Sequence, residues 1–454
     1  MDRESLPDPA AAAGSGPTPE PAAALDLGRF VQASPSPYHA VAEVVRRLED
    51  VGFTAVEESG PWPSRPGRYA VVRGGSVVAW STDGGRSPTD GFRIVGAHTD
   101  SPNLRVRPRP DTGAAGLRQV GVEVYGGVLL NSWLDRDLGL SGRVAVLGPG
   151  GGPELRLVAV DEPLLRVPQL AIHLDRAVNA EGLKLDPQAH LVPVWGTGTT
   201  HEGDVARFLA ERAGVSPDAV VGWDVMLHDL TPPSLLGVDR SLLASPRIDN
   251  LLSCHAATTA LAQVAEQAGA AVPVVCLFDH EEVGSDSASG AGSSLLPTVL
   301  ERIAGAAGVE RDGWFASLSR SACISADGAH ATHPNYAGRH EPSHRVEMNS
   351  GPVLKHNANV RYATDAGGTA LVVEAARSAG VELQRFVSRN DMPCGSTIGP
   401  VTAARLGIAT ADVGVAQLSM HSAREVCGAH DPAAFAALLS AFLRTSGGPP
   451  PTRR

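Results

Sequence analysis

Two hydrophobic periods alternate along this chain. In FVQASPSPYHAVAEVVRRLEDVGF, Val41, Val44, Val45 and Leu48 recur at helical spacing, with Glu43, Arg46, Arg47 and Glu49 on the other faces. That predicts a loop followed by an amphipathic helix. RYAVVRGGSVVAWST predicts a hairpin turning at Gly74-Gly75, and FRIVGAHTDS a buried strand that runs into a loop. Between about residues 104 and 240 the chain changes character. LRVRP, VGVEVYGG, GRVAVLGPG and ELRLVAV are short β-type runs broken by glycine and proline, and the helical pattern returns only at DVARFLAERAGV. Beyond this block, NLLSCHAATTALAQVAEQAGA and TALVVEAARSAGV read as helices, and AVPVVCLFDHEE and VELQRFVSR as strands. Strand and helix alternate around a strand-rich insertion, which predicts an α/β sandwich with a central, mostly parallel sheet. In such sheets, functional residues gather at the carboxyl ends of strands.

Composition refines this outline. A chain of 454 residues is too long for one simple core and predicts two domains. Residues 1–24 and 446–454 are rich in Ala, Pro and Gly and read as disordered tails. The α/β part then spans 25–103 and 241–445, and the β-rich part 104–240. A net charge of -11 argues against a nucleic-acid-binding surface. Five widely spaced cysteines, with no C-x-x-C, suit a reducing compartment rather than a disulfide framework. The N-terminus lacks the pattern of a secretory signal, and no run of about 18 apolar residues predicts a membrane span. The expectation is a cytoplasmic protein.

Several apolar runs end in acidic or imidazole groups: IVGAHTDSP with His98 and Asp100, SPRIDNL with Asp249, VVCLFDHEEVGS with Glu281 and Glu282, CISADGAH with Asp327, and VAQLSMHSAREV with His421. One His or Asp at a strand end is, in roughly nine cases of ten, a satisfied polar group or a turn former. Five such stretches on one chain point elsewhere. Two imidazoles and several carboxylates suit Zn²⁺, Mn²⁺ or Co²⁺. A pair of ions about 3.5–4 Å apart uses such a set with one bridging carboxylate. Asp249 is the natural bridge, with His98 and His421 serving one ion each, and Asp327 and one glutamate completing the shells. Asp100 is placed to accept from the other imidazole nitrogen of His98. The adjacency of Glu281 and Glu282 raises a question of its own, because neighbouring ionised carboxylates repel unless a positive charge offsets them.

HEPSH at 340–344 matches the H-E-x-x-H zinc-protease pattern by letter, but that pattern works on a helix and Pro342 sits inside it. The Gly-rich SASGAGSSL lacks the ending of a phosphate loop, and Ser396 and Ser419 lack the G-x-S-x-G elbow. Cys394 reads as a small buried hydrophobe rather than a nucleophile.

GAHTDSPNLRVRP, NSWLDRDLGLSGRV, SPRIDNL, FDHEEVGSDSASGAGS, SADGAHATHPNY, GPVLKHNANVRYAT, NDMPCGSTIGP and SMHSAREVCG, in this order, resemble the M18 family of metalloaminopeptidases, the aspartyl aminopeptidase family. The likeness runs from about residue 27 to about 443. It implies a zinc-peptidase-like three-layer sandwich holding two Zn²⁺, interrupted by a β-rich dimerisation domain. It assigns the metal ligands to His98, Asp249, Glu282, Asp327 and His421, the general base to Glu281 and the supporting aspartate to Asp100. By the same likeness, Lys355 and Tyr362 belong to the substrate pocket, and His173 reaches a neighbouring subunit's site. The implied assembly is a homododecamer of dimers acting on peptides. Preference within the family ranges from acidic to neutral or apolar N-terminal residues. Lys355 suits an acidic side chain and equally a peptide carboxylate. An acidic preference is the expectation, and a broad or neutral one the alternative. Two other readings stay open on the residues alone: a co-catalytic metal deacylase or carboxypeptidase, and a self-assembling particle with structural metals.

Overall fold

The computed structural model describes residues 21–148, 150–446 and 448. Its centre is a nine-stranded sheet in the order Thr54–Ala55, Arg68–Arg73, Ser76–Ser81, Val272–Phe278, Phe92–His98, Ala322–Ala326, Ala409–Gly414, Val353–His356, Gln384–Val387. The four strands from Val272–Phe278 to Ala409–Gly414 run parallel. They are almost uninterrupted apolar runs because both faces are covered. On Phe92–His98, Val95 and Ala97 pack into one core, while Phe92 and Ile94 pack into the other. The first core is closed by the helices Ala22–Gln32, Pro37–Glu49, Ile248–Val264, Ala366–Ala379 and Asp431–Arg444. The second is closed by Leu295–Ala306, Arg311–Ser319 and Ile398–Leu406. The result is the three-layer α/β sandwich that the alternating pattern predicts.

Residues 103–229 supply most of a second, antiparallel sheet, ordered Pro153–Leu165, Leu138–Leu147, Val220–Asp229, Asn103–Ala114, Leu117–Tyr125, Val194–Thr197. It has its own apolar core, into which Val205 and Leu209 of the helix Asp204–Ala213 pack. A third sheet of five short strands includes Leu242–Ser245, Glu425–Gly428, Ala416–Leu418 and Ala329–His330. It joins three of the loops that carry candidate site residues.

Two expectations need correction. Ala22 to Leu25 begin the helix Ala22–Gln32, and Phe30 to Gln32 belong to the same helix rather than to a loop. Ala24, Leu27, Phe30 and Val31 are buried against Ile248–Val264 and its neighbours. The Ala/Pro composition that reads as a tail hides this apolar face, because alanines serve a helix as well as a disordered segment. The remainder of the expected tails lies outside the described residues, apart from Pro21, Ser446 and Gly448. Among the described residues, no helix is long and apolar enough to cross a membrane.

Candidate active site

The parallel strands deliver the candidate residues to one end of the central sheet. His98 is the last residue of Phe92–His98, and Asp327 follows Ala322–Ala326 directly. Glu281 and Glu282 follow Val272–Phe278, but not in extended form: Glu281–Val283 is a single 3₁₀ turn entered through His280 at φ 65°. The two adjacent glutamates are therefore splayed by a tight turn rather than by strand alternation. Asp249 also departs from expectation. It sits in a non-helical step (φ -80°, ψ 104°) at the start of Ile248–Val264 rather than at a strand end. His421 lies in the turn between Ala416–Leu418 and Glu425–Gly428.

Asp249 is the hub of the cluster. Its Oδ1 lies 3.5 Å from His98 Nε2, and its Oδ2 lies 3.3 Å from His421 Nε2. Around Oδ1, Asp327 Oδ1 stands 3.5 Å and Glu281 Oε2 4.0 Å from His98 Nε2. Around Oδ2, Glu282 Oε2 stands 3.5 Å from His421 Nε2. Two sets of three donors, His98–Asp249–Asp327 and Asp249–Glu282–His421, could each hold a metal ion, with Asp249 common to both. His98, Glu281 and Glu282 form a third such set. The imidazoles face the cluster through Nε2 because Nδ1 is engaged elsewhere. His98 Nδ1 lies 3.0 Å from the Asp100 carbonyl oxygen, and His421 Nδ1 lies 2.9 Å from that of Gly127.

Asp100 differs from the simple expectation. Its backbone carbonyl meets His98 at hydrogen-bond distance, while its carboxylate stands 3.5 Å away. That carboxylate accepts from Tyr125 Oη at 2.6 Å and from the N–H groups of Glu281 and Glu282, both at 3.1 Å. Asp100 thus fixes the 3₁₀ turn that presents both glutamates. Sequence reasoning missed Tyr125 and Glu425. Fully buried Glu425 accepts the Asp249 N–H at 2.9 Å and the His421 N–H at 2.8 Å, tying together the two loops that share the hub. Its place four residues after His421, in a strand run, was the available signal.

Charge dominates this site. Burial, reinforced by Asp327, Asp100 and Asp249, pushes the Glu281 carboxyl up to about 7. Burial beside Asp249 pushes Glu425 up to about 8 and raises Glu282 well above the carboxylate range. Burial alone would lower both imidazoles. The neighbouring carboxylates override it, raising His421 to about 10 and His98 well above its ordinary value. Asp249 Oδ1 and Glu282 Oε1 are buried and meet no hydrogen-bond donor. A buried carboxylate oxygen is costly without a donor or cation, and mixed imidazole and carboxylate donors are those of zinc. The residues fit divalent ions.

These groups line a cavity of about 430 Å³, together with Lys355, Tyr362, His330, Gly395 to Thr397 and Met420. Lys355 Nζ donates to the Gly328 carbonyl at 2.9 Å, lies 3.4 Å from Asp327 Oδ2, and sits over the Tyr362 ring. His173 is not brought to this cavity. It is exposed on the loop before Val178–Glu181, among exposed Leu170, Ile172 and Leu174. Pro334–Arg339 is a 3₁₀ segment and His340 to His344 are not helical, so HEPSH does not form a zinc-protease helix.

An α/β sandwich that gathers such donors at one end of its central sheet, from strand ends, a helix start and a turn, has the arrangement of a metal-dependent hydrolase. Comparison narrows the class. Residues 30–443 match the family described as aminopeptidase I zinc metalloprotease (M18). The chain is 56% identical over 422 residues to a probable M18 family aminopeptidase 2 of Streptomyces coelicolor, covering 92% of this chain and 97% of that protein. It superposes on a chain of the Ape4 and Nbr1 complex with a TM-score of 0.89 at 40% identity, covering 93% and 85% of the two chains. For the S. cerevisiae mApe1 dodecamer the TM-score is 0.82 at 28% identity, covering 93% and 96%. The chain belongs to the M18 family of zinc metalloaminopeptidases.

The raised groups set a pH dependence for chelator-treated protein. Glu281, Glu425 and His421 hold protons in the folded state at pH values where the unfolded chain has released them. Stability should therefore fall as pH rises from about 5 to about 9, since the native state binds more protons across that window. Asp249 and Asp100 are shifted downward, so their contribution changes only below the ordinary carboxylate range. Melting curves with chelator should show this decline, and added Zn²⁺ should offset it most at high pH, where protons compete least. A flat or rising chelated profile would contradict the electrostatic reading.

Proposed function

We propose that this chain is a di-zinc aminopeptidase that removes single N-terminal residues from peptides, with a preference for Asp and Glu. One observation carries the two-ion reading: the Asp249 carboxylate points one oxygen at each of two imidazoles, so that two donor sets share it. His98 and Asp327 would hold one ion, Glu282 and His421 the other, with Asp249 between them. Zinc bound by such donors supplies Lewis-acid chemistry, polarising a carbonyl and making water more acidic.

The remaining steps belong to the protein. Glu281 faces the cavity, and its carboxylate can take a proton at Oε2 from the attacking water and return it to the leaving amine. Asp100 holds Glu281 in place through its backbone N–H. The Tyr362 hydroxyl donates toward the developing oxyanion. The acidic cluster attracts a free α-amino group, which restricts cleavage to chain ends and separates this reading from a deacylase or carboxypeptidase. We further propose that residues 104–240 form the dimerisation domain and that the protein assembles as a homododecamer, as the S. cerevisiae relative does. In that assembly His173 reaches the cavity of a neighbouring subunit. The five free cysteines suit the cytoplasm.

Lys355 carries the acidic preference, as the one Lys or Arg lining the cavity among the described residues. A broad or neutral preference is favoured by a different observation: that ammonium is buried and already shared between Asp327 and the Gly328 carbonyl.

Two measurements test this function. Glu281→Gln should leave zinc content near normal and lower kcat by about 10²–10⁴-fold, the usual contribution of a general acid–base group. Retained activity at full metal occupancy would remove Glu281 from the mechanism. A panel of Asp, Glu, Leu, Met and Lys aminoacyl chromogens should be hydrolysed with acidic residues preferred, and N-acyl amino acids should not react. A flat profile would support the neutral reading, and turnover of acylated substrates alone would overturn the aminopeptidase assignment.

A further inference from the structure

One buried acid beside the cavity takes no part in the chemistry above. Asp412 lies on the central strand Ala409–Gly414, directly opposite Lys355 in the antiparallel register, and is fully buried. Its carboxylate is shared between two separate walls of the cavity. Oδ2 accepts the Ala363 N–H at 2.6 Å, one residue beyond Tyr362. Oδ1 accepts the Thr397 hydroxyl at 2.5 Å, at the end of the Gly395 to Thr397 wall. The Asp412 N–H donates to Thr364 Oγ1 at 2.8 Å, which holds the Tyr362 segment a second time.

The second wall is fitted to the same carboxylate. Thr397 caps the helix Ile398–Leu406 by accepting the Gly399 N–H. A Cβ on Gly399 would stand 2.4 Å from Asp412 Oδ2 and 2.6 Å from Oδ1. Glycine at 399 therefore lets the helix N-terminus settle directly on the negative charge, where the backbone dipole is favourable. Burying an ion in this way is costly unless several donors hold it. Asp412 has a backbone N–H, a hydroxyl and the nearby Lys355 charge to hold it, and burial still keeps its carboxyl above the ordinary carboxylate value. The Tyr362 and Thr397 walls belong to loops about 35 residues apart in sequence, and this carboxylate is hydrogen-bonded to both.

We propose that Asp412 is a positioning residue for substrate recognition: it sets the spacing between the Tyr362 and Thr397 walls, and with it the fit of the substrate's N-terminal side chain. This inference rests on reading the cavity as the substrate site. It concerns none of the metal-donor residues, so its effects separate from theirs.

The test compares Asp412→Ala, Asp412→Asn and Thr397→Val in the zinc-loaded full chain. Asp412→Ala frees both walls. Its kcat/KM should fall about 10- to 100-fold, the scale of a lost hydrogen bond to a charged group, mainly through KM, and the ranking among N-terminal residues should change. Asp412→Asn can turn its carbonyl to Ala363 N–H and its amide to the Thr397 oxygen, which accepts as well as donates. It should restore most of the loss. Thr397→Val removes one tether, and with it the cap on Ile398–Leu406, with little change in side-chain shape. It should shift KM in the same direction, which keeps the test open if Asp412→Ala does not fold. Zinc content should match the wild type throughout. An unchanged KM and ranking in folded Asp412→Ala, or in Thr397→Val, would overturn the proposal, as would a loss of activity that tracks loss of zinc. Wild-type inactivity on every aminoacyl chromogen would instead overturn the proposed function on which this inference stands.

Discussion

The structure depends on a concentration of negative charge that the protein cannot neutralise by itself. Asp100, Asp249, Glu281, Glu282 and Asp327 crowd around His98 and His421, and among the described residues Lys355 is the one Lys or Arg lining the adjoining cavity. Two like charges about 4 Å apart at an effective dielectric of about 20 repel by about 4 kcal/mol. Protons can relieve this, as the raised Glu281, Glu282 and Glu425 groups indicate. Divalent cations relieve it more completely. The protein keeps the cluster together with backbone N–H groups. Asp100 holds the turn carrying Glu281 and Glu282, while Glu425 holds the loops carrying Asp249 and His421.

The same device recurs away from the cluster. Asp412 ties the two cavity walls as Glu425 ties the two hub loops, and both lie in strands that the core makes rigid. Loops at the carboxyl ends of parallel strands are free to vary in length, and buried carboxylates with two or three donors return them to defined positions. The donor residues thus lie largely on loops, and their geometry is held by buried acids that bind the loops' backbone N–H groups.

Much of this was legible in the sequence. The parallel strands are recognisable because their apolar runs end abruptly in His98, Asp327 or the Glu281-Glu282 pair, a pattern that a helix of mixed polarity does not produce. The strand-rich block was visible from glycine-bounded runs of β-type residues. Three features were not legible. Ala22–Gln32 is a helix whose alanine-rich start resembles a tail. Asp249 belongs to a helix start, because the strand before it ends at Ser245 and the chain turns at once. Tyr125 and Asp412 act through contacts distant in sequence, and Glu425 offered only its place four residues after His421, since its other partner, Asp249, is distant in sequence. His173 shows the converse: a residue singled out by family likeness lies on an exposed loop of its own chain, away from the cavity.

The central claim is that one carboxylate, Asp249, is shared by two ions. Crystals of the zinc-loaded protein, measured for anomalous scattering at the zinc edge, test it directly. The account predicts two peaks about 3.5–4 Å apart on either side of the Asp249 carboxylate, one beside His98 and Asp327 and the other beside His421 and Glu282. A single peak, or zinc bound away from Asp249, would contradict it.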